Sequence, residues 1–288
     1  MTKRKQASAK GTQKPGQNRH NSQDRSKSGE RRPAGRSPAP RARSSPKGGS
    51  AEQNSFLYGH HAVTEALANP KRRLDALICT AQVAKDIEKA GLTTRIKPEI
   101  ASGGEIGELL PPGAVHQGIA LKTTPLHEPD LDSLADSATR IAILDQVTDP
   151  HNVGAILRSA AVFGVSAIVM TERNSPPQSG VLAKSASGAL EHVSICRVSN
   201  LARAMERLGK QGFTTIGLDG DSNDELSALD LTGSIALVLG AEGAGLRRLT
   251  REYCDWLAKL PASGPMRSLN VSNAAAVAFY ELSRGSVN

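Results

Sequence analysis

Three segments in the second half of this 288-residue chain concentrate the side chains able to do chemistry. The first is Asp145-Gln-Val-Thr-Asp149-Pro-His-Asn152-Val-Gly154-Ala-Ile-Leu-Arg158. Asp149 and Asn152 suit a turn and a helix N-cap, and Gly154 admits the close approach of another backbone. Arg158 falls about one and a half turns into the helix that this cap would start. The second is Leu239-Gly240-Ala-Glu242-Gly243-Ala-Gly245-Leu246-Arg247-Arg248, a glycine-rich turn that exposes backbone N–H groups to a ligand. The third is Leu260-Pro-Ala-Ser-Gly-Pro-Met-Arg267-Ser268-Leu269-Asn270-Val-Ser272-Asn273, a polar loop running into a helix rich in cap-type residues. Taken singly, Asn152 reads as a cap, Arg158 as a solvated helix charge, the glycine run as a tight turn and the third segment as a well-capped helix start. Taken together after an apolar strand, Asn152 and Arg158 could form a clamp for a phosphate or a developing oxyanion.

These segments need a scaffold that brings them to one place. From Arg140 onward, apolar runs alternate with helical patterns. Strands are expected at 141–144, 167–170, 193–198, 214–218, 235–239 and 257–260, and helices at 153–163, 181–186, 201–210 and 271–282. Near-continuous apolar strands imply a mainly parallel sheet covered on both faces, hence an α/β fold. In such sheets ligands bind beyond the carboxyl ends of the strands, where all three segments start. The glycine turn lacks the Lys-Ser/Thr of a P-loop and the order of a dinucleotide fingerprint, and it comes late instead of after the first strand.

Ahead of this domain (139–288), residues 54–122 read as a small α/β domain. A helix is expected at 61–68, a strand at 74–79, helices at 83–90 and 100–110, and a last strand at 119–121. Residues 123–138 read as a linker. Residues 1–53 read as disordered, because Lys, Arg, Ser, Gly, Pro and Gln cannot bury enough surface to offset ordering. Residues 1–50 hold 14 Lys and Arg against two acidic residues, while the rest of the chain is net acidic, so the overall charge of +8 belongs to the tail. Such a tail is either a salt-sensitive RNA tether or a solubilising extension.

Composition narrows the function classes. Aromatics are 3% of the chain, which argues against RNA reading by base stacking. The three cysteines stand far apart with no CxxC pair, so neither a disulfide framework nor a zinc site is expected. His60-His61 are adjacent and cannot share a helix face, so no metal is assigned to them. No apolar run is long enough to span a bilayer, no signal peptide is visible, and a cytoplasmic protein is expected.

The three segments, in this order and spacing, resemble motifs 1, 2 and 3 of the SpoU/TrmH family, the RNA ribose 2′-O-methyltransferases of the SPOUT superfamily, over residues 140–284. Tyr58-Gly-His-His-Ala-Val63 and Val115-His-Gln-Gly-Ile119 are similar to the L30e-like substrate-binding domain of the RlmB-type branch. Asn200-Leu-Ala-Arg203 and Leu249-Thr-Arg-Glu252 resemble that branch too. The resemblance implies a trefoil-knotted sheet, a homodimer, and S-adenosylmethionine held by Gly240, Leu260 and Leu269. It implies catalytic roles for Asn152, Arg158, Glu242, Ser268 and Asn270. It points to 2′-O-methylation of a guanosine in 23S rRNA, with no DNA and no membrane as partner. A tRNA ribose methyltransferase is the alternative within the class, disfavoured by the front domain. A catalytically silent ribosome-assembly factor is the alternative outside it, disfavoured by the retained site residues. Arg267, just before Ser268, departs from the branch pattern.

Overall fold

The computed structural model describes residues 56–265 and 268–284; the expected disordered tail and Arg267 lie outside them. The chain opens with β1 (Phe56–Tyr58), α1 (His60–Ala68), β2 (Ala76–Cys79), α2 (Ala81–Lys89), β3 (Pro98–Ile100), α3 (Gly103–Glu108) and β4 (Ile119–Lys122). These strands form a sheet in the order β1-β4-β2-β3, antiparallel except for the β2–β3 pair. Leu57, Leu77 and Leu121 meet in register across it and are buried with Val63, Ile87 and Ile119.

One expected helix is shorter than its sequence pattern suggests. Residues 100–110 are not a single helix: Ile100 ends β3, paired with Cys79, and is 60% exposed. The helix starts only at Gly103, because Ser102 and Glu105 form a reciprocal capping box that satisfies its first N–H groups.

The expected linker also carries structure. α4 (Leu131–Ser137) is capped by Asp130, whose carboxylate accepts from Ser133 N at 2.8 Å, and it buries Leu131 and Leu134. There follow β5 (Arg140–Asp145), α5 (Pro150–Val162), β6 (Ala167–Thr171), α6 (Gly180–Ala186), β7 (Ser194–Val198), α7 (Leu201–Lys210), β8 (Phe213–Leu218), β9 (Ser234–Gly240), α8 (Arg248–Glu252), β10 (Trp256–Ala258) and α9 (Val271–Arg284). Their strands make a six-stranded, wholly parallel sheet in the order β10-β8-β9-β5-β6-β7. Side chains alternate between its faces, as strand geometry requires. Ala142 and Leu144 pack under α5, α6 and α9, whereas Ile141 and Ile143 pack under α4 and α7.

The connectivity places the site. From β5 the chain moves outward to β6 and β7, yet β9, on the other side of β5, leads outward to β10. The direction of the winding therefore switches between β5 and β9, the place where open parallel sheets set their sites. The β5–β9 register sets Asp145 opposite Gly240, so the first two chemical segments leave the sheet side by side.

Candidate functional site

Asp149, not Asn152, caps α5: its carboxylate accepts from His151 N at 3.0 Å, and Pro150 opens the helix. That frees the Asn152 side chain. Gly154 is where α5 touches α6; a Cβ there would lie 2.4 Å from Ser185 Cβ and 2.9 Å from Leu182 O.

The glycine turn is shaped by three backbone hydrogen bonds, Ala241 N to Gly245 O, Gly245 N to Ala241 O and Ala244 N to Glu242 O, with Gly243 and Gly245 at positive φ. Only glycine fits at 240, because a Cβ would lie 2.2 Å from Gly245 C. The far end of the turn is fastened to the sheet. Asp145, fully buried at the end of β5, accepts from Arg247 N at 3.0 Å and from Arg247 Nε at 2.6 Å. Sequence reasoning passed over Asp145 as a site residue. A lone acidic residue closing an apolar strand was the only signal.

Asn270 joins the three segments. Its Oδ1 accepts from Ser272 N at 2.9 Å and Ser272 Oγ at 2.6 Å at the start of α9. Its Nδ2 then faces outward and donates to Asn152 Oδ1 at 3.1 Å and to Glu242 Oε2 at 3.2 Å. Ser268 is exposed and, with Glu242, lines a cavity of about 720 Å³ beyond the carboxyl ends of β8, β9 and β10. Gly240, Leu260 and Leu269 also line that cavity. Leu260 falls past β10, which ends at Ala258 and not at 260 as expected. Arg158 stands apart. It is exposed on α5, lines no part of the cavity, and makes no hydrogen bond or ion pair with the described residues.

The residues present fit S-adenosylmethionine. The volume lies within the range of small-ligand pockets. The backbone at Gly240 leaves room that a side chain would fill, and the walls alternate apolar side chains with polar groups. Cys254 packs against Gly217, just below the end of β8, so closely that a Cβ there would lie 2.8 Å from its Sγ. Burial pushes its thiol up to about 12, reinforced by the Asp255 and Asp145 carboxylates, so it stays neutral and is no nucleophile at neutral pH. Among the described residues, no three His, Cys, Asp or Glu side chains gather as metal ligands.

A parallel sheet whose ligand cavity is built from late loops, with an asparagine pinning all three, defines a class of α/β cofactor-binding enzyme distinct from the dinucleotide folds that use their first turn. The SpoU rRNA Methylase family model matches residues 139–280, and the model for RNA 2′-O ribose methyltransferase substrate binding matches residues 56–129. The chain belongs to the SpoU family. It is 38% identical to the 23S rRNA (guanosine-2′-O-)-methyltransferase RlmB of Vibrio vulnificus over 80% of this chain and 97% of that protein. It is 37% identical to RlmB of Xylella fastidiosa over 81% of this chain and 97% of that protein. Among solved structures, the SpoU methyltransferase AviRb of Streptomyces viridochromogenes, in complex with AdoMet, shares the fold. Its TM-score is 0.68 at 22% identity, covering 81% of this chain and 90% of that one.

Proposed function

We propose that this chain transfers a methyl group from S-adenosylmethionine to the ribose 2′-hydroxyl of a guanosine in 23S rRNA. The observation that carries the reading is Asn270, which hydrogen-bonds Asn152 and Glu242 at once beside the cavity. The relatives named above, matched over nearly their whole length, support the RNA class.

Gly240, Leu260 and Leu269 would hold the cofactor, with backbone groups of the three loops on its adenosyl part. Bound there, S-adenosylmethionine supplies a methyl group on a sulfonium, open to attack by an oxygen. The protein's own work is alignment and charge. Asn270 and Asn152 orient the ribose, Ser268 adds a hydroxyl at the cavity edge, and Glu242 holds Asn270 in place. A guanidinium offers donors and no acceptor, so the role of Arg158 is to stabilise the oxygen's developing negative charge or grip the adjoining phosphate. Its exposure on α5 without a partner among the described residues supports that reading, since such a guanidinium can take RNA.

The finer architecture follows the same reading. Residues 54–122 act as an L30e-like RNA-binding domain, supported by the match at 56–129. The C-terminal part is a trefoil knot, supported by its return from edge strand β10 to set Asn270 beside Asn152 over the sheet centre. The protein works as a homodimer, supported by the exposed apolar side chains Trp256, Val277 and Tyr280. It acts in the cytoplasm, supported by three cysteines that are all free.

The test is to incubate the purified full chain with methyl-labelled S-adenosylmethionine and 23S rRNA, then digest to nucleosides. Label in 2′-O-methylguanosine is expected. Label on a base, or none while the RNA is bound, would overturn the reading.

A further inference from the structure

Asp219 is the first residue past β8, and it lines the same cavity as Gly240, Leu260 and Leu269. Its backbone N donates to Ala258 O at 2.9 Å, which ties this strand end to the edge strand. Its Oδ1 accepts from Asp221 N at 3.0 Å, which fixes the plane of the carboxylate. Its side chain is only 9% exposed. Arg251 Nη2 lies 2.6 Å from Oδ2, yet off the hydrogen-bond axis, and among the described residues no group hydrogen-bonds to that oxygen. Arg251 itself lines the cavity.

A buried carboxylate oxygen short of a donor is costly, and native proteins seldom keep one without a use. Here the charge is already balanced by Arg251. What Oδ2 lacks is a hydrogen-bond donor, not a cation. We propose that Asp219 binds the ribose of the cofactor, its Oδ2 accepting from the vicinal 2′,3′-diol. This rests on the reading that the cavity holds S-adenosylmethionine.

Three groups of that cofactor could donate. The α-ammonium would set a second cation beside Arg251 against one carboxylate. The adenine amine belongs to a flat base, better matched to the apolar wall of Leu239, Leu246, Leu260 and Leu269. The diol is neutral and offers two adjacent O–H groups, the pattern that an acidic residue past a strand end reads in dinucleotide folds.

The experiment measures binding, not turnover. Wild-type full chain and Asp219→Asn are titrated calorimetrically with three probes. These are S-adenosylhomocysteine, 5′-methylthioadenosine (which keeps the diol and lacks the amino-acid end), and the 2′,3′-dideoxy form of methylthioadenosine. Asparagine keeps the shape but loses the charge-assisted acceptor. Asp219→Asn should weaken both diol-bearing ligands by about 10- to 100-fold, the range for a hydrogen bond to a charged group. The dideoxy ligand should bind wild type and variant equally, which also shows that the variant is folded. Loss with S-adenosylhomocysteine but not methylthioadenosine would overturn the assignment in favour of the amino-acid end. Unchanged affinity for both would overturn it outright while leaving the cofactor reading intact. A wild-type chain that binds neither would sink the cofactor reading, and this assignment with it.

Discussion

Two places in this molecule bring polar side chains together from distant parts of the chain, and they treat water differently. At the seam between the two sheets, Arg72 and Glu191 pair at 2.5 Å with both side chains 2% exposed, and Asn69 Nδ2 donates to the same carboxylate at 2.7 Å. Arg72 Nη1 also donates to Thr124 O. At the carboxyl ends of the large sheet, Asn270, Asn152 and Glu242 meet through two longer bonds, with Glu242 exposed and a cavity alongside. The buried pair spends its charge on the protein itself: Glu191 accepts from both Arg72 and Asn69, and Arg72 also reaches a backbone carbonyl. The loop cluster keeps capacity in reserve: the exposed Ser268 hydroxyl, the second Glu242 oxygen and, on the neighbouring helix, the exposed Arg158 guanidinium. Burial with full satisfaction marks a group that holds the fold. Convergence without full satisfaction marks one that waits for substrate.

The comparison breaks most visibly at the seam. Glu191→Gln leaves the Arg72 charge buried without its counter-ion and should cost about 3–5 kcal/mol of stability. Chemical denaturation would show the midpoint falling at unchanged slope, with cofactor affinity at low denaturant intact. A midpoint within error of wild type would mean the seam is idle. At the loop cluster the balance reverses. Asn270→Ala removes a cap worth about 1 kcal/mol, but it also releases Asn152 and Glu242, and misplacement on that scale can cost roughly 10² in turnover. Single-turnover methyl transfer beside a thermal melt separates the two effects; equal small losses in both would reduce Asn270 to a cap. The smallest effect sharpens the contrast within the seam. Glu65 and His192 also pair across it, at 2.9 Å, but with side chains 45% and 60% exposed. Glu65→Gln should shift stability by less than about 1 kcal/mol, as exposed pairs do. A loss matching that of Glu191→Gln would show that pairing, not burial, sets the energy.

Much of the large sheet was legible because parallel strands covered on both faces must be apolar runs, and Ile141–Leu144, Ala167–Met170 and Ile235–Leu239 are such runs. The elements that escaped are short or polar. β1 and β3 have three residues each, too few to show a period, and α4 hid in a polar stretch whose two buried leucines, three apart, are half a signal. The site was legible as three segments, but not how they meet. Asp149 rather than Asn152 takes the cap, a choice decided by Pro150 at the first helical position. Asp145 and Asp219 were not singled out as site residues because an acidic residue at a strand end is also an ordinary turn residue. What distinguishes them is complete burial and a cavity wall, neither of which exists before the fold does. The convergence of Asn270, Asn152 and Glu242 depends on the register of β5 against β9, a long-range fact that no local pattern carries.

Arg158 tests the account most directly, because the reading gives it a role in the reaction and none in the fold. Arg158→Ala should keep the wild-type melting temperature and cofactor affinity, while methyl transfer to 23S rRNA falls by roughly 10²–10³, the cost of losing one preorganised charge stabiliser. Wild-type turnover in this variant would contradict the account and move the reacting ribose away from α5.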